Sequence, residues 1–550
     1  MIEVAHEFDE EMSSIRLMTC ENCKRCYPDI INAGFDFCTI CSDPNKLSRF
    51  TSANFMDPGE VPQELVGLTY IEQMLIARIH PVVSLYKIRG AQYAYTGNVI
   101  NFRQDISRLA KDLPHRPSDL PSTIVFNRDT SRGFVKFRAS ASKLRTALIW
   151  LKANNPFYAD ITISENNLSV IPENGDISGQ LAQLTVDSTI PENSDISGRL
   201  AQLTVDSMEQ NDDNEESNID DSYIRLLHHL DQEAVLNREI HMRYPSTESE
   251  PINEFPTEGY VIIAFPTLFP YGTCDLLNPN RREVSFDCYF KYLMLYKDGR
   301  FAKDARFRFF AMNTVLRRFA IQRSNIFIRN HGLGRLSLSD IRQRVRNNPA
   351  FLNQIMVYCS SLRSTKPYWR LRFSELSAMV NQLGLPTIFF TLSAADYHWP
   401  DLFSLLAPGT DPASLSERQR RDLMHENPLL VAYFFQRSCD VFIKKVLRPV
   451  FKVADYWSRF QWQWRGSPHI HGLLWLKDAP SIDEMRLTES LALRIKEYFD
   501  NKVLAINPFR SLPPASVHPS RKRFSDIDNE NLNTDLGHLI NKFQRHTRCD

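Results

Sequence analysis

The sequence predicts an α+β protein of more than one domain, and three observations carry that expectation. The alternating aromatic and polar stretch Tyr456–Arg465 is followed by Gly466-Ser467-Pro468 and the apolar run His469–Trp475, the pattern of an antiparallel hairpin. Stretches of helical character flank it: Tyr70–Ile79, Ala141–Ala153, Ala302–Ile328 and Ser490–Asn501. Two CxxC pairs near the N-terminus mark a small unit of its own.

The chain has 550 residues, too many for one core at about 150 residues per domain. Hydrophobic residues make up 43 %, which excludes a mostly disordered chain. Lys+Arg and Asp+Glu balance at 65 each, which excludes a uniformly basic protein but not a nucleic-acid binder with segregated charge. The opening MIEVAHEFDEEMSS has acids where a secretory signal needs a basic flank and an apolar core. No run of about 18 apolar residues occurs, so no transmembrane helix is expected. The longest apolar stretches, Tyr260–Phe265 and Thr387–Leu392, have strand length. Ten cysteines are too few for a disulfide scaffold and read as reduced thiols or metal ligands of an intracellular protein.

In order along the chain, residues 1–165 read as an N-terminal zinc-clipped α+β domain, with strand-like runs at Ser122–Phe126 and Gly133–Phe137. Residues 166–255 read as a linker. It contains a duplication with a 19-residue period, Ile171–Ser188 and Ile190–Ser207, whose copies differ only at Gly175/Ser194 and Gln180/Arg199. Two copies are too few for a solenoid. An acidic run, Glu209–Asp221, follows. Residues 256–380 form a basic helical region. Between Lys297 and Arg346 there are thirteen Lys/Arg against three Asp, with Phe301, Phe307, Phe309, Phe310, Phe319 and Phe327 interleaved. Such a helix can lay Arg306, Arg308, Arg317 and Arg318 along a phosphate backbone, or can be a solvated face over a core stripe. Residues 381–550 hold the hairpin.

Cys20-Glu-Asn-Cys23 and Cys38-Thr-Ile-Cys41 have the spacing of a tetrahedral zinc site with four thiolate ligands. Such a site leaves no open coordination position, so its role would be structural. Cys26 makes a competing CxxC with Cys23, and reduced unliganded thiols or redox chemistry are the alternatives.

In a strand, alternate residues share a face. His469 and His471 then point the same way with Ile470 buried behind, and Gln461 and Gln463 share a face of the partner strand. Two imidazoles and an amide oxygen make a three-point divalent site with positions left open, suited to polarising a phosphodiester oxygen. On its own, a His-x-His strand is more often merely hydrogen-bonded.

The string Arg465–His471 (RGSPHIH) resembles the His-hydrophobic-His (HUH) motif of replication-initiator endonucleases, in particular the Rep domain of Helitron rolling-circle transposases. Phe389–Asp396 (FFTLSAAD) is similar to the family's first motif. Gly384-Leu385-Pro386 lies before it and Trp399-Pro400-Asp401-Leu402 after it. Asn427-Pro428 opens a helix carrying Phe434–Arg437, and Phe265–Gly272 (FPTLFPYG) resembles the family's entry motif. The similarity covers about residues 256–550. Val61–Leu65 and Leu68–Glu72 resemble the domain that often precedes Rep.

The resemblance implies an antiparallel HUH/Rep-like core with flanking helices. It implies Mg2+ or Mn2+ on His469, His471 and a third ligand, Gln463 ahead of Gln461, where relatives often have Glu. It implies single-stranded DNA as the partner, held by arginines including Arg465 and by aromatic stacking, and a tyrosine nucleophile. The family's tyrosine pair lies beyond the position where this sequence stops, so the chain reads as a fragment and Tyr498 is the nearest downstream tyrosine. No GxxxxGK[ST] string occurs, so the helicase half is also expected to be missing. Strand nicking and transfer, or non-catalytic DNA binding by a remnant, are the two functions implied. Nuclear localisation follows from the same resemblance, with Ser520–Arg523 as a short basic string.

Overall fold

In the computed structural model the described residues are 2–28, 36–80, 111–120, 138–177, 256–330, 357–462, 467–480, 488–502, 509–521 and 532–544, save 283 and 364, with a few short pieces besides. The chain is α+β and divides into two compact units. One comprises Met1–Ser48, Ile88–Ala94 and Val284–Asp550, the other Arg49–Lys87 and Tyr95–Glu283. The cysteine segment therefore belongs with the hairpin's unit, whereas the sequence reading grouped it with residues 49–165.

The principal elements of the first unit are α1 (Ile2–Ser13), β1 (Leu17–Thr19), β2 (Cys26–Pro28), α2 (Phe286–Met294), α3 (Arg300–Lys303), α4 (Ala305–Asn330), α5 (Lys366–Leu383), β3 (Ile388–Ser393), α6 (Pro400–Leu406), α7 (Glu417–Glu426), α8 (Pro428–Phe442), β4 (Val453–Trp462), β5 (Pro468–Leu476), α9 (Glu489–Asp500) and α10 (Leu532–Leu539). The sheet runs β4-β5-β3, antiparallel throughout, with Gln461 opposite His469 and Ser393 on its other side. The expected hairpin and the strand inside Thr387–Leu392 are both present.

Pro428 sits in the first turn of α8, where its missing N–H costs nothing. One face of α8 puts Phe435 and Cys439 against Ile470 and Ala394 under the sheet. Its other face joins Val431, Phe434 and Val441 to Met12 of α1, Phe403 of α6 and Met424 of α7. A single helix thus links the sheet to the N-terminal arm. Where the sequence suggested one helix over Ala302–Ile328, the structure has two. Asp304 interrupts them and accepts from the Phe307 backbone N–H at 2.8 Å, capping α4.

In the second unit, Thr69 and Glu72 form a capping box on the helix Tyr70–Ile76. Buried Glu72 also accepts from the Ser140 backbone N–H at 2.9 Å, which ties that helix to the start of Ala141–Asn154. The latter buries Leu144, Ala147, Leu148 and Leu151, one face at helical spacing. The first repeat copy begins inside this fold. Gly175–Asp176 pairs with Arg138–Ala139, and Ile171 and Ile177 are buried. The second copy, the acidic run and the strand-like runs at 122–126 and 133–137 lie outside the described residues.

Tyr260–Phe265 is not a strand. Tyr260–Ala264 is a helical turn, all five residues buried, entered through Gly259 at φ 71°. An apolar run buried on every side carries no periodicity, so its length alone misleads. Among the described residues no helix is long and apolar enough to cross a membrane.

Candidate metal centres

Cys20, Cys23, Cys38 and Cys41 are all buried, with sulfurs within 4.8 Å of one another. Four sulfurs at about 2.3 Å from a tetrahedral ion stand about 3.8 Å apart. The Cys23 and Cys38 sulfurs are 3.8 Å apart, so the donor set fits a structural metal such as zinc. The hairpin β1–β2 supplies the first pair, because Cys20 leaves β1 and its backbone N–H donates to the Arg25 carbonyl at 2.9 Å.

Arg25 was not anticipated. Its buried guanidinium donates from Nη2 to Cys38 Sγ at 2.8 Å and from Nε to Cys23 Sγ at 3.2 Å. The Cys38 N–H donates to Cys20 Sγ at 3.3 Å. Burial raises the Cys20 thiol, but the backbone N–H groups of Cys23, Cys38 and Asn22 outweigh it and lower it to about 7. Burial raises Cys23 and Cys41. A metal must therefore displace the protons held by Cys23 and Cys41.

The histidine hairpin is the second centre. His469 and His471 project to one side of β5, their Nε2 atoms 2.9 Å apart and their rings perpendicular. Two cis ligands at about 2.1 Å from an octahedral ion lie about 3.0 Å apart, so the pair fits a shared ion. It also fits a direct N–H···N hydrogen bond. His469 is 6 % exposed and His471 half-buried, so the site is open on one side only. Thr391 Oγ1 lies 2.9 Å from His471 Nδ1, and the Phe389 ring stacks on His471 at 5.6 Å and 21°. Both come from β3, two residues apart on one face. Ile470 is buried beneath, against Phe435. Gly472 faces Phe390, whose ring occupies the space a Cβ would need.

Gln461 stands directly opposite His469 and is exposed. Gln463 and Arg465 lie outside the described residues. Among the described residues no Cys, Asp or Glu joins the histidine pair as a third ligand. The structure does not bring Tyr498 to the histidines. It lies on α9 against Val453, Leu474 and Leu476, on the other face of the sheet. Leu474 is three to five residues along β5 from the histidines, roughly 10–17 Å at strand rise. Burial, then Asp478, raises the Tyr498 phenol. In α4, Arg306 is 5 % exposed and Arg318 lies over the Phe286 ring at 3.2 Å, while Arg308 and Arg317 are half-buried.

Two family models match the chain. The one described as a Helitron helicase-like domain at the N-terminus matches residues 289–474, which span α4, the sheet and both histidines. The one described as a domain of unknown function, DUF6570, matches residues 44–169. No curated protein and no solved structure matches.

Proposed function

We propose, taking as premise that residues 289–474 are a Helitron helicase-like domain, that this transposon-related protein binds single-stranded DNA and presents one of its phosphodiesters to a divalent ion held by His469 and His471. The observation that carries the reading is the 2.9 Å separation of the two Nε2 atoms on the open face of an antiparallel sheet. In this reading β4-β5-β3 with its flanking helices is an HUH/Rep-like core.

His469 is the inner ligand, fixed by burial, and His471 the outer one, oriented through Thr391. Gln461, opposite His469, supplies the third protein donor, with Gln463 as the alternative. Mg2+ or Mn2+, when bound, supplies Lewis-acid polarisation of a phosphate oxygen. The protein's donors are neutral imidazoles and an amide. They leave the ion's charge unreduced, which favours an anionic fourth partner such as a phosphodiester. Arg308 and Arg317 are the α4 cations assigned to the strand's backbone, and Phe389, 66 % exposed, is the stacking platform for a base beside the site. Strand cleavage would be attack by a tyrosine hydroxyl on phosphorus, giving a 5′-phosphotyrosine and a free 3′-hydroxyl. On this reading the protein acts in the nucleus, and a helicase is its expected partner.

The placement of Tyr498 favours a second reading, a protein that binds single strands without cutting them. The test is incubation with Mn2+ and single-stranded oligonucleotides, with the product resolved on denaturing gels. A covalent protein–DNA adduct, lost in His469→Ala, supports cleavage. Binding without an adduct or cut strand supports the second reading. Absence of binding even at low salt removes both.

A further inference from the structure

Beyond Ser393, which pairs with His469, the chain turns through Ala394 and reaches His398 five residues later. There a second group of nitrogen-bearing side chains gathers. The His398 and His518 rings stack at 3.9 Å and 9°. Arg521 Nε donates to His398 Nδ1 at 3.3 Å, and the Ser520 backbone N–H donates to His518 Nδ1 at 3.3 Å. Each ring accepts at Nδ1, so each neutral imidazole carries its proton on Nε2 and is a donor there. Arg420 is buried beside them, held by the carbonyls of Leu415 at 3.1 Å and Tyr397 at 3.3 Å. Burial, then the charges of His518, Arg521, Arg420 and Lys542, push His398 down to about 4. His518 moves down by burial and by Arg521 and Lys542. The carboxylate nearby in sequence, Asp401, is paired with Arg523.

Two stacked imidazoles with Nε2–H donors beside the Arg521 guanidinium are matched by an acceptor-rich anion. We propose that His398, His518 and Arg521 form a phosphate-binding subsite for the backbone of single-stranded DNA, separate from the metal histidines. That the anion belongs to DNA rests on the function proposed above; that it is a phosphate rests on this cluster alone.

The test is fluorescence anisotropy of the full chain with a labelled oligo-dT across a salt series. Arg521→Ala should weaken binding about fivefold, the loss of one phosphate contact. Each lost phosphate contact on a single strand should lower the log K against log salt slope by about 0.7. Arg418→Ala serves as the charge-matched control, because its side chain is 92 % exposed on α7. Unchanged affinity and slope in Arg521→Ala, or an equal loss in the control, overturns the proposal. Inorganic pyrophosphate is the second probe, read by the imidazole proton resonances of His398 and His518. If oligo-dT does not bind but pyrophosphate shifts both histidines, the phosphate subsite stands and the DNA reading falls. If neither probe binds, both fall. Loss of the covalent adduct alone leaves the subsite untouched.

Discussion

The two candidate metal centres of the first unit are built from the same kind of part, an antiparallel strand pair with two potential ligands, and end in opposite conditions. The cysteine cluster is closed. Four buried sulfurs face one point and Arg25 covers two of them. The histidine centre is half open. One imidazole is buried, one is half-buried, and the amide opposite is exposed. A closed donor set spends its free energy on folding, while an open one can exchange a ligand. The cluster's position fits that division. Next to it, the Cys26 N–H donates to the Leu295 carbonyl at 2.7 Å and the Tyr27 ring meets Tyr433 of α8 at 5.0 Å, the helix that underlies the histidine strand.

The largest expected effect comes from breaking the closed centre. Structural zinc in small domains contributes on the order of 10 kcal/mol. Cys38→Ser, or a strong chelator, should release the β1–β2 arm and lower the melting temperature. Hydrogen exchange should rise first in 2–28 and then in α8, with β5 following only as far as α8 loosens. Zinc affinity should fall with pH because Cys23 and Cys41 must give up protons, and more steeply below about 7, where Cys20 regains its own. Equal protection with and without chelator would make the cluster an ordinary thiol core.

Next come the residues that hold the histidine strand from below. Ile470→Ala should cost about 2–5 kcal/mol, a buried large-to-small change. Gly472→Ala should cost about 1–3 kcal/mol, since its Cβ would meet the Phe390 ring. Chemical denaturation measures both, and a neutral Gly472→Ala would mean that Phe390 moves aside freely. Thr391→Val is a smaller perturbation. It removes the hydroxyl at His471 Nδ1 at a cost of about 1 kcal/mol in stability, yet should weaken Mn2+ binding about 10- to 100-fold. Calorimetric titration separates the two effects. A variant with unchanged Mn2+ affinity would show that Thr391 does not orient the ring.

These predictions rest partly on residues that the sequence did not disclose. The side-sharing of His469 and His471 follows from strand period alone, and α8 announces itself through Asn427-Pro428 and its aromatic spacing. Thr391 lies 80 positions from His471, and its role depends on β3 pairing with β5 in one register. The alternation in Phe389–Ser393 was a usable signal, because Phe389, Thr391 and Ser393 share the parity that would face the histidines. Arg25 gave no such sign, since a basic residue between two CxxC pairs is unremarkable until the turn folds it back over the sulfurs. Tyr498 looked plausible because helix α9 was correctly expected, but helix existence does not fix which face of the sheet it covers. The division into units was hidden for a similar reason, as residues 1–48 and 284–550 meet only in three dimensions.

The smallest effect decides whether metal or charge holds the arm. Arg437 Nη2 of α8 lies 2.6 Å from Glu11 Oε1 of α1, both partly exposed, and Phe8 packs edge-on against Phe442 at 6.2 Å. An exposed ion pair contributes about 0–1 kcal/mol and is screened at high salt, whereas the buried contacts of Met12 and Ile15 are not. Glu11→Gln should therefore cost under about 1 kcal/mol. Raising sodium chloride to about 0.5 M, where the Debye length falls to roughly 4 Å, should erase the difference from the parent protein. Exchange rates along α1, measured with the cysteine cluster metal-loaded, are the readout. If Glu11→Gln frees α1 as completely as chelation does, the arm is held by its charges, and the cysteine cluster does not clamp it.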